Sequence, residues 1–171
     1  MTTREIIGAA NDVLTQGIEL LLDLDDRSFA KMARTTMPTS IGKQYRQMLN
    51  HFVSLVHGLR SGEIDYGRPG TSARLENEVT FATITTCDML RALKRCSEEQ
   101  FARGCEVIPV GHSRVQSFTS TMGRELAYCV GNALHQYCII RALGLEIGRT
   151  VPETFGTTPC AFRYHAVAAA D

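Results

Sequence analysis

The sequence predicts an all-α fold, a four-helix bundle in a single domain over residues 1–171, from three observations. The chain has 171 residues, the size of one ordinary domain, and 44% of them are hydrophobic, enough to form a core. Four segments carry apolar residues at helical spacing. Stretches rich in glycine, proline and serine separate them, without internal repeats. Four long helices in one domain are typical of a bundle.

The first two predicted helices have clear starts and ends. Thr2 and Glu5 have the spacing of a capping box, and the acidic residues at 23–26 mark a helix end and a solvated turn, because acids are unfavourable at a helix C-terminus. Ser40 begins the second helix, whose apolar residues keep a helical period until the loop at 61–72.

The second half of the chain mixes helical and extended signals. We predict a third helix over residues 75–97 and two short extended segments, resembling a β-hairpin, over 104–119. The fourth helix begins at residue 120 or 121 and ends at Leu143, before Gly144. The tail at 151–171 contains prolines and glycine and is predicted to be irregular.

Charge and hydropathy exclude several classes of protein. Basic and acidic residues number 18 each, so the formal net charge is zero, whereas nucleic-acid binders and membrane-surface proteins need a basic face. No apolar run approaches the ~18 residues of a membrane span, and the N-terminus has no apolar signal segment. We expect a cytoplasmic protein without nucleic-acid or membrane partners.

The cysteines are interpreted as buried small hydrophobic residues. None of them forms the C-x-x-C pair that a zinc ribbon or a thioredoxin-like site needs. In a chain without a secretory signal, a disulfide framework is also disfavoured. The six residues are Cys87, Cys96, Cys105, Cys129, Cys138 and Cys160.

Polar side chains interrupt the apolar faces of two predicted helices. An unpaired buried amide or imidazole costs roughly 1–3 kcal/mol, so these two stripes either bond to each other or line a cavity for water or a ligand. The sequence thus predicts a helical bundle with a polar internal site. The stripe residues are Gln44, Gln47 and His51 on the second helix, with Glu125, Asn132, His135 and Gln136 on the fourth.

Several segments match one known family in order and with matching spacing. Residues 41–52 (IGKQYRQMLNHF) resemble the second-helix signature of DinB/YfiT-like proteins, and residues 123–137 (GRELAYCVGNALHQY) resemble the fourth-helix signature of a DinB subgroup. Residues 64–66 (IDY), the region of Glu76 and residues 155–163 (FGTTPCAFR) also look like that subgroup. The resemblance implies a four-helix bundle, a divalent-metal site with three histidine ligands, and a homodimer. Some relatives are thiol-dependent transferases or isomerases.

The metal-ligand positions carry amides in this chain. The resemblance assigns them to Gln47 on the second helix and to Asn132 and Gln136, four residues apart, on the fourth. A carboxamide oxygen is a poor ligand for zinc or nickel, although amides can hydrogen-bond to one another. We therefore expect no metal cofactor. The hypothesis is a non-catalytic or small-ligand-binding protein whose family site has become a polar core or a pocket.

An alternative keeps metal chemistry in a rearranged site. Nickel or zinc would then be held by His51 and His135, with Glu125, in an enzyme of the thiol-transferase or isomerase type. Cys129 on the predicted inner face is interpreted either as an inert buried thiol or as a nucleophile activated by a nearby histidine. The sequence assigns no catalytic residue or substrate. Arg163 is interpreted as an ion-pair anchor for the tail.

Overall fold

The computed structural model describes residues 2–34, 37–67, 72–112, 114–149, 151–152 and 154–157. Over these residues the fold is mostly helical, with one three-stranded sheet. The helices are α1 (Thr3–Leu22), α2 (Asp26–Ala30), α3 (Ile41–Ser61), α4 (Val79–Lys94), α5 (Glu98–Ala102) and α6 (Met122–Glu146). The strands are β1 (Glu63–Asp65), β2 (Gly104–Ile108) and β3 (Phe118–Thr121). Short 3-10 helices occupy Ala73–Glu76 and Arg114–Gln116.

Four long helices enclose the hydrophobic core. α1 packs against α4 and α6, and α3 packs against the same two helices. Their apolar faces form one continuous buried cluster, and this removal of apolar surface from water is the main stabilising contribution. None of the helices in the described part of the chain is long and apolar enough to cross a membrane.

α3 and α6 run antiparallel. The rings of His51 on α3 and Tyr128 on α6 lie 5.6 Å apart. Elsewhere along the same pair, the hydroxyls of Tyr45 and Tyr137 both approach the Cα of Gly17 on α1 so closely that a Cβ there would clash with them. Since the residue number falls from 51 to 45 on α3 while it rises from 128 to 137 on α6, the two helices point in opposite directions.

A small polar centre joins the four long helices at Gly17. The Tyr45 hydroxyl is 2.9 Å from the Thr86 hydroxyl on α4, and the Tyr137 hydroxyl donates a 2.8 Å hydrogen bond to the Val13 carbonyl on α1. Both tyrosines are fully buried. Because every hydroxyl here has a partner, the centre fixes the relative positions of the helices without leaving an unsatisfied group.

Local signals correctly predicted the starts of α1, α3 and α6. Thr2 and Glu5 form the expected capping box, and Ser40 caps α3 through the backbone N–H of Lys43. Thr121 caps α6. α1 ends before the acidic residues at 23–26, where Asp25 caps the short helix α2.

The third helix was predicted to be continuous over residues 75–97, and this extent was wrong. Residues 73–76 form a separate 3-10 helix, α4 spans only Val79–Lys94, and a new capping box at Ser97 and Gln100 starts α5. The apolar residues alone suggested one continuous helix. The cap at Ser97 instead starts a separate helix, α5.

The sheet contains the two extended segments predicted from the sequence and one that was not. β2 and β3 pair antiparallel, as a hairpin-like segment requires. The prediction of a loop over residues 61–72 was wrong for β1, which pairs parallel to β2. Of the predicted irregular tail, residue 153 and residues 158–171 lie outside the described residues, and with them Cys160 and Arg163.

Candidate functional site

A buried carboxylate lies where the sheet meets the start of α6. Glu125 is 1% exposed, and its Oε2 accepts a 2.9 Å hydrogen bond from the Tyr66 hydroxyl. Its Oε1 accepts a 2.6 Å hydrogen bond from the Ser120 hydroxyl and another from the Arg124 guanidinium. The first turn of a helix also favours a negative charge. The carboxylate is therefore held in place by three donors, one of them a cation.

Tyr66 connects this carboxylate to a buried thiol. Its backbone N–H bonds to the Ile108 carbonyl at the end of β2, and its hydroxyl lies 3.8 Å from the Cys129 sulfur. Burial raises the pKa of the Cys129 thiol to about 12. A nucleophilic cysteine needs a lowered pKa, so the burial of Cys129 supports its interpretation as an inert residue.

Three aromatic rings form a cluster beside Glu125. The His51 and Tyr66 ring centroids are 5.2 Å apart, and Tyr128 packs edge-on against both. Nδ1 of His51 donates a 2.8 Å hydrogen bond to the Gln47 carbonyl. A carbonyl only accepts, so in the neutral ring Nε2 is left as an acceptor. Burial lowers the pKa of His51, which favours this neutral form.

Two amides on α6 have buried oxygens without a protein partner. Neither Asn132 Oδ1 nor Gln136 Oε1 has a hydrogen-bond donor within the described part of the chain, and Gln136 is only 8% exposed. Asn132 follows Tyr128 by one helical turn and Gln136 follows by another, on the face that contains Cys129. The two amides therefore lie between the His51–Tyr128 contact and the tyrosine pair at Gly17.

Gln47 and Gln44 occupy the matching part of α3. Gln47 lies four residues before His51 on α3, and Asn132 lies four residues after Tyr128 on α6. Since His51 contacts Tyr128 and the helices are antiparallel, Gln47 lies at the level of Asn132. Gln47 is exposed, so the prediction that it faces inward was wrong and it lies at the rim. Gln44 is buried and donates a 2.8 Å hydrogen bond to the Thr39 hydroxyl. We call Gln44, Gln47, His51, Tyr128, Asn132 and Gln136 the α3–α6 site.

The structure separates His135 from this site. His135 is exposed, which makes its predicted place on the inner face wrong, whereas Ala133 and Tyr137 beside it are fully buried. The reason is that α6 carries apolar residues around much of its circumference, and packing against both α1 and α3 selects the buried part. His135 also lies seven residues beyond Tyr128, about 10 Å along the helix axis, and His51 contacts Tyr128.

Among the described residues, no group of three or more His, Cys, Asp and Glu side chains is arranged to hold a metal ion. The group formed by Glu125, Tyr66 and Cys129 offers one carboxylate and one thiol, and both already have hydrogen-bond partners. The α3–α6 site instead offers hydrogen-bonding groups: the amides of Asn132 and Gln136, whose oxygens are buried without a donor, and the acceptor nitrogen of His51.

Tyr66 is the residue that reasoning from the sequence missed as part of a site. It follows a strand that was not predicted, so no local pattern placed it against α6. The one available signal was the family-like segment at residues 64–66. Tyr128, which is 46% exposed, borders the site.

Comparisons with known proteins give little further information. No family model matches the chain. A stretch of 57 residues, 33% of this chain, is 39% identical to FK506-binding protein 5 from Rhizopus delemar, but the chain covers 15% of that protein. A match over so small a part of either protein assigns neither a family nor an activity.

Proposed function

We propose that the chain is a DinB-like four-helix bundle that binds a small molecule, without a metal, at the α3–α6 site. The observation that carries this proposal is the pair of buried amide oxygens at Asn132 and Gln136 that have no donor. These are the positions that the family resemblance gives to metal ligands on α6. The two positions on α6 that the resemblance gives to metal ligands thus present unpaired acceptors in this chain.

The energetics favour an occupant. A buried acceptor without a donor costs about 1–3 kcal/mol, and a polar group that is not used is readily replaced by an apolar one. A ligand with N–H or O–H groups would satisfy both amides. The exposed Gln47 marks the open side of the site, while the His51, Tyr66 and Tyr128 rings lie at one end and the buried tyrosine pair at the other.

The experiment measures bound metal in two variants and the natural chain. Each protein is incubated with nickel and with zinc, dialysed, and subjected to elemental analysis. We expect no bound metal in the natural chain, because amides are weak ligands for these ions. The triple variant Gln47→His, Asn132→His, Gln136→His should hold about one metal ion per chain, as one imidazole on α3 and two at i and i+4 on α6 suit zinc.

The matched control replaces the same three residues by alanine and should hold no metal. A folded triple-histidine variant that fails to bind either ion would contradict the DinB-like assignment of these positions. Close to one metal ion per chain in the natural protein would overturn the proposal and favour the metal-dependent transferase alternative with His51 and His135.

A further inference from the structure

We infer that the surface between α1 and α6 docks an extended segment of a partner protein with the sequence basic–aromatic–glycine. The chain's own residues 154–157 fill this surface in the structure and show which chemistry fits it. We call the surface formed by Gln16, Glu19, Leu20 and Asp23 on α1 and Tyr137 on α6 the α1–α6 groove. None of these residues belongs to the α3–α6 site, and the inference does not rest on the proposed function.

One side chain of the groove binds the backbone of the docked segment. Gln16 Oε1 accepts a 2.9 Å hydrogen bond from the Gly156 N–H, and Gln16 Nε2 donates a 3.1 Å hydrogen bond to the Thr157 carbonyl. Both ends of the amide are used, and both partners are backbone groups. Such contacts give affinity for an extended segment whatever its side chains are.

An aromatic ring anchors the segment. Phe155 is 5% exposed, and its ring stacks on Tyr137 with 4.2 Å between the centroids and 25° between the planes. The Tyr137 hydroxyl bonds to the Val13 carbonyl, so α1 and α6 hold this ring in place without help from the segment. The groove therefore offers a fixed platform for one aromatic side chain.

Two independent features require a glycine after the aromatic residue. Gly156 has a φ of +79°, which residues with a side chain rarely adopt. A Cβ added to Gly156 would also lie only 3.1 Å from the Cβ of Tyr137. The groove thus selects an aromatic–glycine pair by its ring platform, by the backbone conformation and by the close approach to α6.

The chain's own segment leaves part of the groove empty. A cavity of about 40 Å³ lies beside Phe155, and Thr154, the residue before the aromatic anchor, lines it together with Leu20. Since protein interiors are close-packed, unfilled space forfeits contacts. A partner segment with a longer side chain in place of Thr154 would fill this space better than residues 154–157 do.

The charge of the cavity selects a basic side chain for that position. Glu19 and Asp23 line it four residues apart on α1, and neither pairs with a basic side chain in the part of the chain that the structure describes. The last turn of α1 contains no basic residue, and a helix C-terminus adds partial negative charge. A lysine or arginine in place of Thr154 would pack its stem in the cavity and bring its cation to both acids.

The test titrates short peptides into the full-length chain after its own segment has been displaced. Phe155→Ala removes the aromatic anchor, and Gly156→Ala, which is incompatible with the positive φ, is a second variant that keeps the ring. Thermal unfolding shows which variant stays folded, and that variant is called the displaced chain. The probes are fluorescein-labelled peptides with the sequence of residues 151–157: unchanged, with Thr154→Lys, or with Thr154→Lys and Gly156→Ala. Fluorescence anisotropy measures each Kd.

The three peptides should bind in a fixed order. We expect the Thr154→Lys peptide to bind the displaced chain saturably and roughly tenfold more tightly than the unchanged peptide, because it adds a cation beside two acids. The additional Gly156→Ala change should weaken its binding by roughly tenfold or more. The natural chain should bind every peptide more weakly than the displaced chain does, because its own segment competes in cis.

Variants of the groove locate the binding. In the displaced chain, Gln16→Leu should weaken binding of the Thr154→Lys peptide roughly tenfold, because it removes both hydrogen bonds to the backbone. The double change Glu19→Gln, Asp23→Asn should abolish the advantage of lysine over threonine. Thr15→Ala, which changes an exposed residue on the same helix, should leave the binding unchanged.

Each contrary outcome overturns a stated part of the inference. Absence of peptide binding by the displaced chain overturns the docking site, and equal Kd values for the lysine and threonine peptides overturn the basic–aromatic–glycine partner. A natural chain that has twice the monomer mass by light scattering, and returns to monomer on Phe155→Ala, overturns the partner protein in favour of a second copy. None of these results bears on the metal content of the triple-histidine variant, so the proposed function is tested separately.

Discussion

The Tyr66 hydroxyl donates a 2.9 Å hydrogen bond to the buried carboxylate of Glu125, which lies 59 residues further along the chain. Tyr66 directly follows β1, and Glu125 belongs to the first turns of α6. This hydrogen bond therefore ties the residue after β1 to the helix that supplies the two unpaired amides. The positions of the sheet and of the α3–α6 site depend on each other through this pair.

Replacement of Tyr66 by phenylalanine should destabilise the protein. The variant removes one donor from a buried carboxylate and one polar partner from Cys129, so the free energy of unfolding should fall by about 1–3 kcal/mol. Urea unfolding measures the change. Tyr128→Phe alters a ring that is 46% exposed and should stay within about 0.5 kcal/mol of the natural chain. Equal effects of the two variants would contradict the structural role of Tyr66.

The contact of two tyrosine hydroxyls with Gly17 leads to a second prediction. Gly17→Ala places a methyl group against the hydroxyls of Tyr45 and Tyr137, and such overpacking costs about 1–3 kcal/mol. Gly8→Ala is the control on the same helix, where an added Cβ meets no atom within 4 Å. Since alanine is a better helix former, that variant should be more stable by up to ~1 kcal/mol. Thermal unfolding should give shifts of opposite sign.

The unpaired amide oxygen of Gln136 should lower the stability of the ligand-free protein. Gln136→Leu removes a buried acceptor that has no donor, and we expect the free energy of unfolding to rise by about 1 kcal/mol. Gln44→Leu is the matched control, because Gln44 is also buried but bonds to Thr39. Its loss should lower stability. A destabilised Gln136→Leu variant would show that the amide is satisfied in solution.

Protonation of His51 should weaken the folded state. Burial lowers its pKa below the ordinary value of 6.5, so the unfolded chain binds the proton more readily than the folded one. The contribution of His51 is complete above pH 6.5 and is lost as the pH falls from there through the lowered pKa. The free energy of unfolding should decline between about pH 7 and pH 5. His51→Phe should flatten this part of the profile, and an unchanged slope would rule out His51 as its source.

The cysteines should differ sharply in reactivity. Cys138 on α6 is exposed, whereas Cys129 is buried and its thiol pKa is raised to about 12. Labelling with iodoacetamide at pH 8, followed by mass spectrometry of the peptides, should modify Cys138 at least tenfold faster than Cys129. Urea should abolish the difference. Rapid labelling of Cys129 in the folded protein would contradict the buried, inert interpretation.

The sequence predicted the parts of the fold that depend on residues close together along the chain. The caps at Thr2 and Ser40 need only the backbone N–H groups of the following turn, so their chemistry is readable locally. β1 was missed because a strand of three residues is defined by its partner, and Glu63 pairs with Glu106. No local signal carries that pairing.

The candidate site was predicted only in part, because the local sequence does not give the packing of the helices. Cys129 and Glu125 were expected to face inward and are buried, because they lie well inside the apolar arc of α6. His135 lies at the border of the apolar arc of α6 and Gln47 at the border of the arc of α3, where the packing angle of the neighbouring helices decides the exposure. A helical wheel gives the angle between two residues but not the direction of the core.

The parallel pairing of β1 with β2 also bears on when Tyr66 can meet Glu125. Strands 43 residues apart, as Glu63 and Glu106 are, must wait for the intervening chain to fold, since loop closure costs entropy before any contact offsets it. Tyr66 contacts Glu125 only after β1 has paired with β2. A chain with all its helices formed but no sheet would lack the hydrogen bond from Tyr66 to Glu125, so this bond marks a completed fold.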